Sequence, residues 1–170
     1  MCPSRAALLI PSIFVFAVPA AGAQERAVAD SSLARALLQA VEDVAPPHSG
    51  PRFIDLDELS QLLSSLSPHG IDRSGLDEVL PRGYRHAPPD TVRVCPDQRL
   101  VTCRIRNGGV LVTIDSVWAT SKGVRAWATW RTNAQRLERG THATQWEIEL
   151  APGERGTWRV VHSAVRRMSD

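Results

Sequence analysis

The region from Val110 to Arg167 constrains the fold most, because it shows the two-residue periodicity of four consecutive β-strands. Successive side chains of a strand point to opposite faces of its sheet, so this periodicity sorts the residues onto two faces. The predicted apolar face comprises Val110, Val112, Ile114, Trp118, Val124, Ala126, Ala128, Trp130, Trp146, Ile148, Leu150, Trp158, Val160 and Ala164. The opposite face comprises polar residues such as Thr113, Asp115, Arg125, Arg131, Glu147, Glu149 and Arg159. The pattern predicts an antiparallel sheet with one covered and one solvated face.

Short turns predict how these strands are connected. Residues 120–123 and 152–156 contain glycine and are short enough to join antiparallel neighbours as hairpins. The apolar faces of paired strands must coincide, since a slip of one residue would turn a whole strand over. In the last hairpin this condition places Leu150 opposite Trp158, and it assigns His162 to the apolar face.

Four of the five tryptophans, Trp118, Trp130, Trp146 and Trp158, fall on the predicted apolar face. Large aromatic side chains dominate the energetics of protein cores, so we expect these four to be buried. The alternative is that they line a ligand pocket, because such pockets are mostly apolar and aromatic. Trp127 falls on the solvated face, where it is either a single exposed aromatic residue or part of a contact surface.

The N-terminal half shows the 3.6-residue periodicity of helices that cover one face of a sheet. The spacing predicts a first helix within residues 24–45, a second over 55–66 and a short third over 74–80. Asp55 is placed to cap the second helix, and the proline-rich residues 81–90 are predicted to be extended. The apolar sides comprise Leu33, Leu37, Ala40, Val41 and Val44 in the first helix, Leu56, Leu59, Leu62, Leu63 and Leu66 in the second, and Leu76, Val79 and Leu80 in the third.

These periodicities predict an α+β fold in a single domain over residues 24–170. Two to three helices from residues 24–90 should pack on one face of a curved, cone-like antiparallel sheet from residues 91–170. Residues 25–90 carry 6 basic and 11 acidic side chains, and residues 91–170 carry 13 and 7, so the halves have opposite net charge. Because acidic residues interleave with the arginines, the basic half does not indicate a nucleic-acid partner.

The N-terminus has the features of a secretory signal peptide over residues 1–23. Arg5 precedes an apolar stretch, and Ala21-Gly22-Ala23 is an A-x-A cleavage site, so the mature chain would begin at Gln24. The apolar stretch is shorter than the roughly 20 residues that span a bilayer. We therefore expect a protein exported to the periplasm or the extracellular space, with no membrane association after cleavage. The alternative is that the segment is kept as an anchor.

Cys95 and Cys103 are the only cysteines that remain once residues 1–23 are removed. In an exported protein they are expected to pair, which makes a disulfide-linked hairpin around the turn-forming residues 96–99. Two cysteines without a nearby histidine are too few for a metal site, and their spacing is not the C-x-x-C of redox enzymes. We therefore expect a structural disulfide and no metal or cofactor.

The sequence contains none of the common nucleophile, metalloprotease, phosphate-binding or dinucleotide-binding motifs. His162 is the best single candidate for proton transfer, because an imidazole titrates near neutral pH. His142 and Arg166 are predicted to share its face, and Arg166 could bind an anion there. Asp115 is predicted to face the other way, so it could pair with His162 only if a bulge or an edge intervened.

Helices followed by a meander that ends in Trp158-Arg159-Val160-Val161-His162 resemble the NTF2-like (SnoaL-like) superfamily. The resemblance covers residues 110–167 and, more loosely, the first helix. It implies a curved sheet that wraps the helices into a cone. Members include isomerases, dehydratases and non-catalytic binding domains, and no catalytic residue of the family has a counterpart here.

Two functions remain open at this point, and catalysis is the less favoured of them. The first is a non-catalytic module that binds a small apolar or aromatic ligand or a protein. The rival is a small-molecule enzyme of the isomerase, dehydratase or hydrolase type with His162 as its base. A third hypothesis is a homodimer formed through the sheet. The residues predicted to line a ligand pocket are Trp118, Trp130, Trp146, Trp158, His142 and Arg166.

Overall fold

The computed structural model describes residues 21–66, 71–95, 103–134 and 141–169. The predicted signal peptide lies almost wholly outside these residues. The helices are α1 (Ala21–Asp43), α2 (Leu56–Ser64), α3 (Arg73–Val79) and α4 (Pro89–Val92). The strands are β1 (Arg52–Ile54), β2 (Tyr84–His86), β3 (Arg93–Val94), β4 (Arg104–Ile105), β5 (Val110–Thr120), β6 (Gly123–Asn133), β7 (Thr141–Pro152) and β8 (Trp158–Ser169).

Six strands form one open sheet in the order β2-β1-β5-β6-β7-β8. Strands β5 to β8 are an antiparallel meander with the connections that the turns predict, and the helices precede it, so the α+β fold is confirmed. Strands β1 and β2 were not predicted, and they run parallel to β5 and to β1 respectively. Each has three residues, which is too short to show a periodicity. Strand β2 and helix α4 occupy the segment predicted to be extended.

The first hairpin turn requires a residue without a side chain. Strand β5 ends at Thr120, which pairs with Gly123 at the start of β6. Gly123 has a φ of 155°, and a Cβ atom there would meet the carbonyl oxygen of Leu150 on β7. The glycine therefore allows the β5–β6 turn to lie against the neighbouring strand.

Helices α1, α2 and α3 cover one face of the meander. Most residues of their predicted apolar sides are buried, and the others are partly buried, namely Val44, Leu62, Leu66 and Leu80. The Asp55 carboxylate caps α2 by accepting hydrogen bonds from the backbone N–H groups of Asp57 and Glu58. The core that results is continuous from helices to sheet, and it includes Leu37, Leu59, Ile148, Leu150 and Trp130 among its fully buried residues. Within the described part of the chain, no helix is long and apolar enough to cross a bilayer.

A two-stranded sheet, β3 paired with β4, stands beside the meander and carries the disulfide between Cys95 and Cys103. Its attachment is specific, because the Asn133 side chain at the end of β6 bonds both backbone groups of Ile105. The Ile105 N–H donates to Asn133 Oδ1 over 2.7 Å, and Asn133 Nδ2 donates to the Ile105 carbonyl over 3.0 Å. The disulfide hairpin is thereby fixed at one end of the sheet.

A β-bulge in β5 corrects the predicted faces of that strand. Ile114 pairs with Ala128 but Ser116 pairs with Trp127, so Asp115 is an additional residue. A bulge of one residue reverses the alternation beyond it. Val117 is therefore buried in the core, and Trp118 lies on the opposite face from Trp130. The prediction that Trp118 belongs to the core was wrong for this reason.

The last hairpin differs from its predicted register at its turn and at two bulges. Leu150 pairs with Val160 rather than with Trp158, which pairs with Pro152. The pairing shifts between Leu150 and Glu149, and Glu149 lies opposite His162. His162 is therefore on the polar face, and its predicted place on the apolar face was wrong. The second shift, between Gln145 and Trp146, leaves Arg166 as the additional residue of β8.

Candidate functional site

We call the face of β5–β8 that points away from helices α1, α2 and α3 the outer face. Its centre is an aromatic cluster on which an arginine is stacked. The rings of Trp118 and Trp127 meet edge to face with centroids 5.0 Å apart. The Arg166 guanidinium lies 3.4 Å from the centroid of the Trp127 ring. All of these groups are at least partly accessible to solvent, and tryptophan and arginine are the residues most enriched at binding hot spots.

Charged side chains extend this cluster toward the β5–β6 turn. The Trp127 indole N–H donates to Glu147 Oε2 over 3.2 Å. Arg125 lies between two carboxylates, with NH2 3.3 Å from Glu149 Oε2 and Nε 3.6 Å from Glu147 Oε1. These charges neutralise one another, so this part of the outer face has polarity without a strong net charge.

The bulge residue Asp115 organises the middle of the outer face. Its carboxylate accepts hydrogen bonds from the hydroxyl groups of Thr113 and Thr129 and from Gln145 Nε2. Gln145 Oε1 in turn accepts a hydrogen bond of 3.2 Å from Arg166. The network links β5, β6, β7 and β8 and occupies both carboxylate oxygens of Asp115.

Two arginines, Arg131 on β6 and Arg167 on β8, lie at the far end of the outer face, and Arg93 on β3 lies beside Arg131. Arg131 and Arg167 line a polar cavity of about 300 Å³ together with Thr129, Ala143 and Gln145. Arg131 also lines a second cavity of about 170 Å³ with Arg93, Cys103, Ile105 and Thr141. We call these two adjoining cavities the arginine pocket. Burial lowers the pKa of Arg131, and the neighbouring charge of Arg93 lowers it further, whereas Asp115 acts in the opposite direction.

A third cavity lies on the helix side of the sheet. It has a volume of about 230 Å³ and is lined mainly by aliphatic residues of α1, α2 and β6, with the half-buried Trp158 at one wall. Its lining contains no titratable side chain. It could hold a small apolar group, but it offers no residue for acid–base chemistry.

The residues predicted to form one ligand pocket are divided between the two faces. Trp130 is 1% exposed, and Trp146 and Trp158 pack partly buried against the same core. His142 lies half-buried opposite Thr132 near the start of β7. Trp118, Arg166 and His162 lie on the outer face instead. His162 is exposed and lines none of the three cavities described above.

Asp55, Asp57 and His86 place three possible metal ligands within 4.8 Å of one another. The hydrogen bonds argue against a metal. The backbone N–H of Leu56 donates to His86 Nδ1 over 3.1 Å, so that nitrogen must be an acceptor. The proton of the neutral ring is then on Nε2, which faces Asp57 Oδ2 at 3.8 Å and has no free lone pair. The cluster is explained as a support for the start of α2.

Strand β8 is one edge of the six-stranded sheet and has 12 residues. Its helix-side residues stay exposed, with Val160 at 42%, Val165 at 46% and Met168 at 73%. Its outer-face residues include Arg159, His162, Arg166 and Arg167, and the strand contains no acidic residue. The edge is therefore apolar on one side and basic on the other.

No protein-family model matches the chain, and neither a curated protein nor a solved structure is detectably similar to it. The disulfide points to an oxidising, exported environment. The sequence analysis did not place Arg93 and Arg131 close together, because β3 and β6 are far apart along the chain. The signal that could have pointed to them is the excess of 13 basic over 7 acidic side chains in residues 91–170.

Proposed function

We propose that this protein is a non-catalytic, exported interaction module that binds an extended segment of a partner protein along the edge strand β8. The single observation that carries the proposal is the exposed, unpaired length of this strand within the described part of the chain. An exposed edge presents a row of backbone N–H and C=O groups that a further strand can satisfy. Addition of a partner strand to a sheet edge is a common mode of peptide recognition.

The chemistry of β8 defines the partner. A strand added to β8 would have one side next to Val160, Val165 and Met168 and the other next to Arg159 and Arg167. The matching segment alternates apolar and acidic residues, because its side chains must follow the same two faces. A second copy of β8 is a poor match, since two strands with arginines and no acidic residue repel each other.

The rival hypothesis of an enzyme has weaker support. The helix-side face of the sheet is filled by side chains, and the remaining cavity there lacks a titratable residue. His162 is exposed beside Glu149, away from that cavity. A general base must come within hydrogen-bond reach of a bound substrate, and none of the three cavities described above is lined by His162.

Two further expectations remain proposals. Residues 1–23 are removed on export, which would leave Gln24 as the first residue. The chain is an NTF2-like domain, and the order of its elements, with helices before an antiparallel meander, supports this assignment. N-terminal sequencing of the exported protein tests the first expectation, since an intact Met1 would contradict it.

Binding is tested with a fluorescein-labelled peptide as long as β8 that alternates valine and glutamate. We expect saturable binding by fluorescence anisotropy and none by the matched valine–lysine peptide. Methylation of every second backbone nitrogen should abolish binding, because it removes the hydrogen bonds to the edge. Arg159→Glu should weaken binding about two- to fivefold or more, as expected for an exposed ion pair.

Arg85→Glu is the matched control, because Arg85 is an exposed arginine on β2, the opposite edge of the same sheet. It should leave peptide binding unchanged. Equal binding of the valine–glutamate and valine–lysine peptides, or of the methylated peptide, would refute the proposal. Light scattering that finds a dimer disrupted by Val161→Glu would assign the edge to a second copy instead.

A further inference from the structure

The arginine pocket combines three cations that have no acidic partner among the residues that the structure describes. Within the described part of the chain, Arg93, Arg131 and Arg167 form no ion pair, whereas Arg125 on the same face forms two. Asp115 is the acidic residue that acts on Arg131, and its oxygens are already bonded by its polar neighbours. Among the described residues, no ion pair therefore compensates the positive charge of the pocket.

Of the three arginines, Arg131 has the least favourable surroundings for a charged group. Its side chain is half-buried, and its Nε atom is fully buried without a hydrogen-bond partner. A guanidinium group stays protonated in proteins, so it cannot escape burial by losing its charge. A buried charge without a partner is unfavourable, and a second cation nearby makes it more so. A buried charged group without a partner is expected at a site where a bound ligand supplies that partner.

The shape of the pocket follows from one small residue. On the outer face, Ala143 of β7 lies between Arg131 of β6 and Ser169 of β8. A methyl side chain in this position leaves the space between the longer arginine side chains empty. Thr129 and Gln145 add polar atoms to the wall of the larger cavity, and Thr141 adds a hydroxyl group to the smaller one. Arg131 lies in the wall of both cavities, so an anion in either one contacts it.

The disulfide hairpin gives the pocket its third cation. Arg93 is on β3, two residues before Cys95, and it pairs with Ile105 of β4. The two hydrogen bonds between Ile105 and Asn133 attach this hairpin to the end of β6, two residues beyond Arg131. The disulfide and these two hydrogen bonds hold Arg93 and Arg131 beside the same cavity. Without them, the repulsion between the two like charges would favour their separation.

We propose that the arginine pocket binds a phosphate group, with Arg131 as its central ligand and Arg93 and Arg167 on either side. A phosphate monoester carries a charge of about −1.5 to −2 at neutral pH, which matches several uncompensated cations better than a single carboxylate does. Planar guanidinium groups bind phosphate oxygens through paired hydrogen bonds. The larger cavity also leaves room for the group to which the phosphate is attached. This proposal is independent of the β8 edge as a docking site.

The test is thermal unfolding of the intact protein in inorganic phosphate compared with sodium chloride at the same ionic strength. We expect phosphate to raise the melting temperature of the wild type, because a ligand that binds the native state stabilises it. Arg131→Gln should weaken phosphate binding about tenfold or more, as expected for charge-assisted hydrogen bonds. Arg93→Gln should act in the same direction. Arg125→Gln, which removes one charge from the same strand and face, should leave the phosphate effect unchanged.

The melting temperatures without phosphate separate a binding role from a structural one. Removal of an uncompensated charge should leave the stability of Arg131→Gln equal to or above that of the wild type. Ala143→Glu places a carboxylate between the arginines, so it should raise the melting temperature without phosphate and abolish the phosphate effect. A lower melting temperature of Arg131→Gln together with an unchanged phosphate effect would overturn the proposal. Equal effects of phosphate and chloride on the wild type would also overturn it.

Vesicles distinguish the two sources of a phosphate group. If the protein sediments with phosphatidylglycerol vesicles but not with phosphatidylcholine vesicles, and if Arg131→Gln abolishes this binding, the pocket is assigned to a lipid headgroup. Stabilisation by phosphate without vesicle binding would assign it to a soluble phosphorylated compound. Both results support the phosphate site.

Discussion

The two faces of the β5–β8 meander are built from the same strands, yet most of their residues differ in burial, polarity and charge. The helix-side face is apolar, and its residues from Val110 to Leu150 are buried under α1, α2 and α3. The outer face holds a hydrogen-bonded network around Asp115, and at its far end Arg131 and Arg167 form no ion pair with any described residue. The helix side therefore supplies stability, whereas the outer face and the adjoining β8 edge carry accessible charges and unpaired backbone groups that a ligand could bind.

The largest expected effect separates two tryptophans of the predicted apolar face. Trp130→Ala should lower the free energy of unfolding by about 3–5 kcal/mol, because it removes a fully buried aromatic side chain. Trp118→Ala should cost about 1 kcal/mol, since its main loss is the edge contact with Trp127. Urea denaturation measures both. Equal losses would mean that the bulge at Asp115 does not turn Trp118 to the outer face.

The disulfide should have the next largest effect. Replacement of Cys95 and Cys103 by serine removes the cross-link that restricts the unfolded chain. The free energy of unfolding should therefore fall by about 2–3 kcal/mol. Because this hairpin positions Arg93, the same variant should also lose part of its phosphate-dependent stabilisation. Guanidinium denaturation with and without phosphate measures both changes. A full phosphate effect in the variant would show that Arg93 reaches the pocket without the hairpin.

The network of the outer face should contribute less than the core. Asp115→Ala leaves the buried hydroxyl of Thr129 without its acceptor and removes the bond to Gln145, so a loss of about 1–3 kcal/mol is expected. Thr113→Ala is the control, because it removes one exposed bond to the same carboxylate. A loss for Asp115→Ala as small as that for Thr113→Ala would mean that solvent replaces the whole network.

The smallest effect concerns the pH dependence of stability. Burial raises the pKa of Glu58 on α2, and the charges of Asp55 and Asp115 raise it further. The stability that this shift contributes is present below the unfolded value of about 4.5 and is lost as pH rises through the folded pKa. Because glutamine does not ionise, Glu58→Gln should not lose stability as the pH rises. The variant should therefore be slightly more stable than the wild type at neutral pH. Denaturation midpoints across the acid range measure the difference, and a variant less stable at neutral pH would contradict the assignment.

The fold could be predicted from the sequence wherever a periodicity was long. The alternation in β6 correctly placed Val124, Ala126, Ala128 and Trp130 on one buried face, and the leucine spacing identified α2 with its cap at Asp55. The cysteines could be paired because the third one, Cys2, lies in the predicted signal peptide. Each of these predictions depended on residues close together in the chain.

The candidate site could not be predicted in the same way, because bulges and non-local contacts define it. One additional residue at Asp115 moved Trp118 to the outer face, and the shift beside Leu150 moved His162 there. A bulge has no reliable signal in a single sequence, and it reverses every assignment beyond it. The neighbourhood of Arg93 and Arg131 depends on how the hairpin packs against β6, which no local pattern encodes.

The most direct test of the account is the solvent accessibility of the tryptophan side chains, measured by NMR. A soluble paramagnetic agent attenuates the indole resonances of the intact protein according to their exposure, and single Trp→Phe variants assign these resonances. We predict that Trp130 is shielded most and that Trp118 and Trp127 are attenuated together, as members of one solvated face. A Trp118 resonance as well shielded as that of Trp130 would contradict the separation of the two faces.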